Sequence, residues 1–237
     1  MDTTDILIVG GGPAGLQAAL TTARVHRQAV LLDDGRYRNA PVRHMHNLIG
    51  ADGAAPEEFR ARALGELGAY DTVECRPLGA TEIRPTRTGF VADLSDGSSL
   101  AARAVILATG VRDELPRIPG LEEVWGGRVA HCPFCHAHEF AGGWFAILGT
   151  EPAEHLGGLL GPIAGSLTVF PLEDDTADAP DGMEVAESHV VGMRDTGSAL
   201  ELFLADGSRA SIAVAFIAPP QRQNSKLPEQ LGLELND

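Results

Sequence analysis

The sequence is poor in cysteine: Cys75, Cys132 and Cys135 are all it has in 237 residues. That excludes a disulfide scaffold, in which several bridges stand in for a core. Long apolar runs are missing too. The longest are strand-sized, so no segment reads as a membrane-spanning helix, and nothing at the N-terminus reads as a signal peptide. Positive charge is scarce: 18 Lys and Arg stand against 33 Asp and Glu, for a net charge of −15. That balance argues against a nucleic-acid binder and against a protein held on anionic lipid. The shortage is sharpest from Val129 to Met193, where ten Asp and Glu stand with no Lys or Arg. A reducing cytoplasm is the expected compartment, and a Cys-x-x-Cys there is more often redox-active or metal-binding than a static staple. With 44% hydrophobic and 22% charged residues, the chain has the composition of an ordinary globular protein. Its length allows one large domain or two modest ones, each with a real core.

The chain opens with "DILIVGGGPAGLQAALTTARVHRQAVLLDDG", which reads as strand, glycine turn, helix and second strand. Ile6–Val9 is expected as a short buried strand. Gly10, Gly12 and Gly15 fill the pattern G-x-G-x-x-G, with Pro13 and Ala14 between the last two. The first glycine permits the tight turn. The second lets backbone approach a pyrophosphate, and the third lets the helix pack on the strand. The helix N-terminus then holds phosphate through free N–H groups and its dipole. Asp33 stands 18 residues after Gly15, placed to accept hydrogen bonds from a ribose, and Asp34 competes with it for that role. The glycines alone would be a weak signal. Inside a strand–helix–strand unit with an acid on schedule, they mark a dinucleotide site.

Further on, "HCPFCHAH" packs two cysteines and three histidines into His131–His138. Spacing leaves three readings open: a zinc site, an inert pair, or a redox pair. Zinc wants four tetrahedral ligands, usually as two separated pairs, and there is no second C-x-x-C. A redox pair needs a thiolate, so a base beside it helps. His136 follows Cys135 directly and is able to take a proton near neutral pH, with His138 and His131 as alternatives. Cys75, in "TVECRPL", reads as a structural residue in a strand.

"GFVADLSDGSSLAARAVILATG" reads as strand, SDG turn, strand, then a strand ending at Ala108-Thr109-Gly110. An ADG turn at Ala205–Gly207 echoes the SDG turn at Ser95–Gly97. Together "VGGGPAGLQAA" and "AVILATG" resemble the FAD domain of flavoproteins with two dinucleotide-binding domains. Cysteines placed after "PRIPG" resemble those of low-molecular-weight thioredoxin reductases. Other disulfide reductases of that superfamily carry the pair in the first FAD helix, and "GLQAALTTAR" has no cysteine. The resemblance implies an α/β fold of two Rossmann-like (three-layer ββα) domains, the second inserted in the first and degenerate. Expected limits are 1–116 for the main FAD portion, 117–218 for the insert with the cysteines, and 219–237 for the start of the return. FAD is the expected cofactor, held by Gly10, Gly12, Pro13, Ala14, Gly15, Asp33 or Asp34, Asn47, Thr109 and Gly110. For Asn47, a loop-capping role is an equal alternative. The resemblance further makes Cys135 the flavin-facing sulfur and Cys132 the outer one.

A reductase of this type also needs NADPH and a second glycine fingerprint. At its expected place the turn reads Gly149-Thr150-Glu151-Pro152-Ala153-Glu154, so two glycine positions are now glutamates. Carboxylates there would repel a pyrophosphate, and NADPH needs cations. No NADPH is therefore expected. A kept cysteine pair with an abandoned nucleotide site resembles the thioredoxin-reductase-like dithiol oxidases of natural-product biosynthesis, the gliotoxin and holomycin oxidases among them. "LLDDGRYRNAPVRHMHNLIGADG" and "HCPFCHAHEF" carry that resemblance. It implies FAD, a CxxC pair, a small-molecule dithiol substrate, O₂ as acceptor, no metal, and a homodimer in the cytoplasm. Family members finish with a Gly-Asp segment that contacts FAD. None stands here, so the chain is expected to be shorter than the family. A reductase fed by another donor and a flavin-free binding fragment are the alternatives.

Overall fold

A computed structural model describes residues 2–175 and 180–235. The chain forms two compact units. Met1–Ala40, Pro56–Arg112 and Gln221–Asp237 make the first; Pro41–Ala55 and Asp113–Pro220 make the second. The loop Pro41–Ala55 thus belongs with the second unit, although the sequence around it belongs to the first.

In the first unit the order is β1 (Asp2–Val9), α1 (Pro13–Arg24), β2 (Ala29–Leu32), α2 (Pro56–Leu67), β3 (Val73–Arg76), β4 (Ala80–Thr86), β5 (Gly89–Leu94) and β6 (Ser99–Leu107). They form one sheet, β3-β2-β1-β6-β5-β4. The first four strands of that order are parallel, and β5 and β4 join as antiparallel hairpins. All four residues of β2 are buried, as expected for a parallel strand covered on both faces. Period-two alternation sorts the core. Leu7, Val9, Val30 and Leu32 face Ile83, Leu94 and Leu100 of the hairpin side. Ile8 and Leu31 face Leu16, Ala19 and Leu67 of the helices. Each fully buried Leu or Ile contributes about 1.5–3 kcal/mol, so this alternation fixes which face of β1 meets α1.

One strand differs from the sequence expectation. "SSLAARAVILATG" reads as two strands, but β6 runs through as one. Its start pairs antiparallel with β5 (Ser99 with Asp93), while Leu100–Leu107 pair parallel with β1. A strand has two edges, and here each edge takes its own partner.

Leaving the first unit, the chain forms β7 (Val111–Asp113), α3 (Leu121–Val124), β8 (Val129–Ala130), α4 (Pro133–His136), β9 (Trp144–Leu148), α5 (Ala153–Leu160), β10 (Ser166–Phe170), β11 (Glu184–Val185), β12 (Val190–Asp195), β13 (Leu200–Leu204), β14 (Arg209–Ile212) and β15 (Val214–Phe216). A parallel sheet, β11-β10-β9-β15-β8, packs against the antiparallel meander β12-β13-β14. Ala146 and Leu148 of β9 face Leu200 and Leu202 of the meander. Phe145 and Ile147 face Leu156 and Leu160 of α5. Sheet, meander and helix make the three layers of a second Rossmann-like unit, inserted in the first.

The two meander turns share one geometry. Leu94 and Leu204 donate backbone N–H to Ser98 and Ser208, and Gly97 and Gly207 have φ of +84° and +86°. In each, the Asp carboxylate accepts the following Ser N–H, at 2.9 and 2.8 Å. The chain returns through β16 (Gln221–Gln223), which pairs with β7, and α6 (Leu227–Gln230), whose Leu227 is buried in the first core. Among the described residues, no helix is long and apolar enough to cross a membrane.

Candidate functional site

In the first unit the candidate residues gather at the C-terminal ends of β1, β2 and β6. Gly10 donates its N–H to Leu32 O (2.8 Å), and Ala108 donates to Val9 O (2.8 Å). These bonds seat the glycine turn beside the Ala108-Thr109-Gly110 corner. Gly10 has φ +112°, and a Cβ on it would fall on Ala108 O. A Cβ on Gly15 would fall on Gly10 O, so this glycine is required by helix–turn packing. Gly12 is different. It has an ordinary φ of −74° and precedes Pro13 at the helix start, and a Cβ there would meet no heavy atom within 4 Å. The fold itself does not need that glycine. The space in front of it is what a dinucleotide phosphate requires, with the first N–H groups of α1 left without intrahelical partners. Pro13 and Ala14 are exposed at the same place.

The two acids after β2 part company. Asp33 lies over the turn, since a Cβ on Gly11 would collide with its carboxylate. Its Oδ1 accepts Gly35 N–H (3.0 Å) and its Oδ2 accepts the Tyr37 hydroxyl. Asp34 is engaged by Arg36 and lies beside Gly79. Burial first, then the bond to Asp33, pushes the Tyr37 phenol up to about 12, and the Arg60 guanidinium sits 3.8 Å over its ring. Thr109 and Gly110 are held from the C-terminal side: Asn224 donates its backbone N–H to Gly110 O (3.0 Å) and its side-chain amide to Thr109 O (3.4 Å). The glycine turn, Asp33, Thr109 and Gly110 thus come together, and their open face fits an adenine-dinucleotide cofactor.

In the second unit, β8 delivers the chain to His131. Cys132 caps α4, Pro133 takes the first helical position, and Cys135 follows one turn on. The two sulfurs are joined in a disulfide with Cα atoms 5.3 Å apart. Phe134, between them, is exposed. Among the described residues, no cluster of three or more His, Cys, Asp or Glu is arranged to hold a metal ion.

The three neighbouring histidines are not equivalent. His138 is exposed in a short 3-10 turn, and the His131 ring lies 6.0 Å from that of Trp125. His136 is partly buried, and its Nε2 lies 3.2 Å from Gly126 O. A carbonyl only accepts, so Nε2 carries the proton and Nδ1 presents a lone pair. That Nδ1 is buried and has no hydrogen-bond partner. Burial holds the His136 pKa below its ordinary 6.5, opposed by the Gly126 bond and by Glu139, and reinforced by His46. Burial thus favours the neutral imidazole of His136, with the lone pair on Nδ1.

The sequence reading missed His46. Its Nδ1 lies 3.5 Å from Asp52 and its Nε2 3.5 Å from Glu139, which ties the loop 41–55 to the turn after the cysteines. Nothing local in "HMHNLIGADG" marks that role, because Glu139 is far away in sequence. Asn47 sits in the same loop with φ +63°, and its N–H donates to Asp52 Oδ1 (2.9 Å). Among the described residues this is a loop-holding arrangement. Cys75 is a free, exposed cysteine on β3, its thiol pushed up by burial and nearby carboxylates. Glu151 and Glu154 are exposed at the head of α5.

Residues 4–149 match the family model described as pyridine nucleotide-disulphide oxidoreductase. A curated relative named thioredoxin reductase aclD, from Aspergillus oryzae, is 42% identical over 176 residues, or 70% of this chain and 56% of the relative. Two solved structures are similar along nearly the whole chain. An oxidoreductase from Agrobacterium tumefaciens has a TM-score of 0.89 at 32% identity, covering 98% of this chain and 80% of that one. HlmI has a TM-score of 0.85 at 31% identity, covering 92% and 72%. The chain spans about half the length of the curated relatives it matches. With the family model covering more than half of the chain, and with the glycine turn and the Cys132–Cys135 disulfide both in place, this protein belongs to the pyridine nucleotide-disulphide oxidoreductases, flavin-binding enzymes of the thioredoxin-reductase-like fold.

Proposed function

We propose that this chain carries the FAD site and the redox pair of a dithiol oxidase. It would convert a small-molecule dithiol to its disulfide with O₂ as acceptor: R(SH)₂ + O₂ → RS₂ + H₂O₂. The observation that carries the proposal is the Cys132–Cys135 disulfide followed by His136, whose buried Nδ1 lone pair has no partner. HlmI among the structural neighbours is consistent with the dithiol-oxidase branch that the sequence resembles.

A substrate thiolate attacks Cys132 Sγ, the S–S bond breaks, and Cys135 leaves as thiolate. The second substrate thiol then attacks the mixed disulfide, forming the product and releasing Cys132. His136 Nδ1 takes the substrate proton, since a thiol of pKa about 8.5 is mostly protonated at pH 7. Bound FAD supplies the two-electron link from the Cys132/Cys135 dithiol to oxygen. Gly10, Gly12, Pro13, Ala14 and Gly15 would take its phosphates, Asp33 its ribose, and Thr109 and Gly110 the wall beside them. Asn47 would stand against the flavin, on a loop held by its own backbone N–H to Asp52. Glu151, Glu154 and the cation-free run from Val129 to Met193 support a protein that takes no electrons from NADPH. The same reading has no nucleic-acid or membrane partner and makes the protein a cytoplasmic homodimer.

An oxygen electrode tests it. With FAD bound, dithiothreitol should drive oxygen uptake that requires both Cys132 and Cys135, while NADPH should drive none. Oxidation of NADPH, or acceptance of electrons only from a protein donor, would replace the oxidase with a reductase.

A further inference from the structure

The second unit keeps the backbone of a nucleotide turn. Gly149 has φ +96° and donates its N–H to Phe170 O at 2.9 Å, the same bond that Gly10 makes to Leu32. Glu173 and Asp174 are exposed, whereas the next residue, Asp175, is partly buried. Its Oδ2 accepts two backbone N–H groups at once, from Thr150 (2.9 Å) and from Leu172 (2.8 Å). Its Oδ1 lies near the place where a Cβ on Gly149 would stand, at 3.7 Å. Thr150 itself is only 7% exposed, and its hydroxyl has no partner. The amides of a nucleotide turn are donors for anions. Here a turn amide and the amide after the second strand already converge on an anion that the chain supplies.

We infer that Asp175 is a specificity residue: a built-in carboxylate that fills the turn of the second unit and excludes phosphorylated nucleotides such as NADPH. The inference deepens the oxidase reading and rests on it for its functional meaning. It differs from the effect of Glu151 and Glu154. Those glutamates are exposed and repel at the rim, whereas Asp175 consumes the donors. An acid near the end of the second strand also stands where a ribose 2′-phosphate would need a cation.

Two measurements test it. The first is rescue by a small anion. Asp175→Ala leaves two amides without their acceptor and should lower Tm by about 4 °C or more, from the loss of two charge-assisted bonds. Sodium formate at 100 mM, set against chloride of equal ionic strength, should restore much of that loss. It should do far less for wild type and for Asp174→Ala. An equal formate response in all three proteins, or a Tm no lower than that of Asp174→Ala, would overturn the assignment. The second measurement uses Asp175→Ala, below its melting temperature, because Asp175→Asn would keep one oxygen able to accept both amides. Calorimetry with NADP⁺ is run on Glu151→Gly/Glu154→Gly with and without Asp175→Ala. At least tenfold tighter binding is expected when Asp175 is removed; equal binding by the two proteins would refute its role. Oxygen uptake with dithiothreitol is read on the Asp175→Ala chain, so failure of the oxidase reading shows separately from failure of this one.

Discussion

His136→Gln should remove a pH-dependent loss of stability that wild type shows below neutrality. The sign follows from burial. The folded-state pKa of His136 is lowered from 6.5, so above about pH 6.5 the ring is neutral in both states and contributes no slope. As pH falls through 6.5, the unfolded chain takes up a proton that the folded one resists, and stability drops until the lower folded pKa is reached. One proton can contribute at most about 1.4 kcal/mol between pH 7.5 and 5.5. The side chain is only partly buried, so water screens part of that, and the expected loss lies below this ceiling. Glutamine keeps a donor for Gly126 O but has no proton to gain. Urea unfolding of both proteins at pH 7.5 and 5.5 gives the result as a difference of differences, in which the other histidines cancel. Equal losses for wild type and His136→Gln would mean that His136 is not held neutral by the fold, and the preset Nδ1 base would fall with it.

The same side chain should matter to rate: with FAD bound, His136→Ala is expected to lose about 10²–10⁴ in dithiol oxidation at pH 7. The loss should shrink above pH 8.5 as the substrate thiol ionises unaided, and an oxygen electrode reads both. Gly12→Ala should leave the stability of the flavin-free chain unchanged within about 0.5 kcal/mol, because its Cβ meets nothing, while FAD titration shows weakened binding. Gly15→Ala should instead destabilise the flavin-free chain by more than about 1 kcal/mol, since its Cβ falls on Gly10 O. In the flavoprotein, Cys132→Ser should strengthen a long-wavelength absorption band from a Cys135 thiolate and Cys135→Ser should abolish it; the reverse pattern would exchange the inner and outer sulfurs.

Those glycines mark what a sequence can tell about this molecule. Gly10 and Gly15 answer to local packing, and the pattern that names them also predicts what their Cβ atoms would strike. The choice between Asp33 and Asp34 was not legible, because both follow the same strand and only the fold turns one over Gly11 and gives the other to Arg36. Likewise "HCPFCHAH" holds three histidines at similar sequence distance from the cysteines. What separates them is direction: one is exposed, one lies near Trp125, and one is inward with a free lone pair. His46 was invisible for another reason. Its partner Glu139 is brought up by the fold of the second unit, and no period or spacing encodes so distant a pair.

Asp175 extends that point to the second unit as a whole. In sequence it is the third of three consecutive acids, and nothing there sets it apart from Glu173 or Asp174. The broken fingerprint at Gly149–Glu154 predicts an abandoned nucleotide site, and the turn itself persists: Gly149 keeps its left-handed φ and its bond to the neighbouring strand, as Gly10 does. Such a turn costs two oriented amides that must be satisfied when they are withdrawn from water. A bound nucleotide does this in a reductase; a chain that holds none must supply an acceptor or lose stability. Asp175 is that acceptor, and its position explains how the parallel sheet and α5 retain their packing with glutamates at two glycine positions of the turn. The backbone of a Rossmann-like unit is set by strand pairing and apolar alternation, which these substitutions leave intact. Its ligand is set by a few atoms at the turn, so the first unit can keep an open face in front of Gly12 while the second, built the same way, is closed by its own carboxylate.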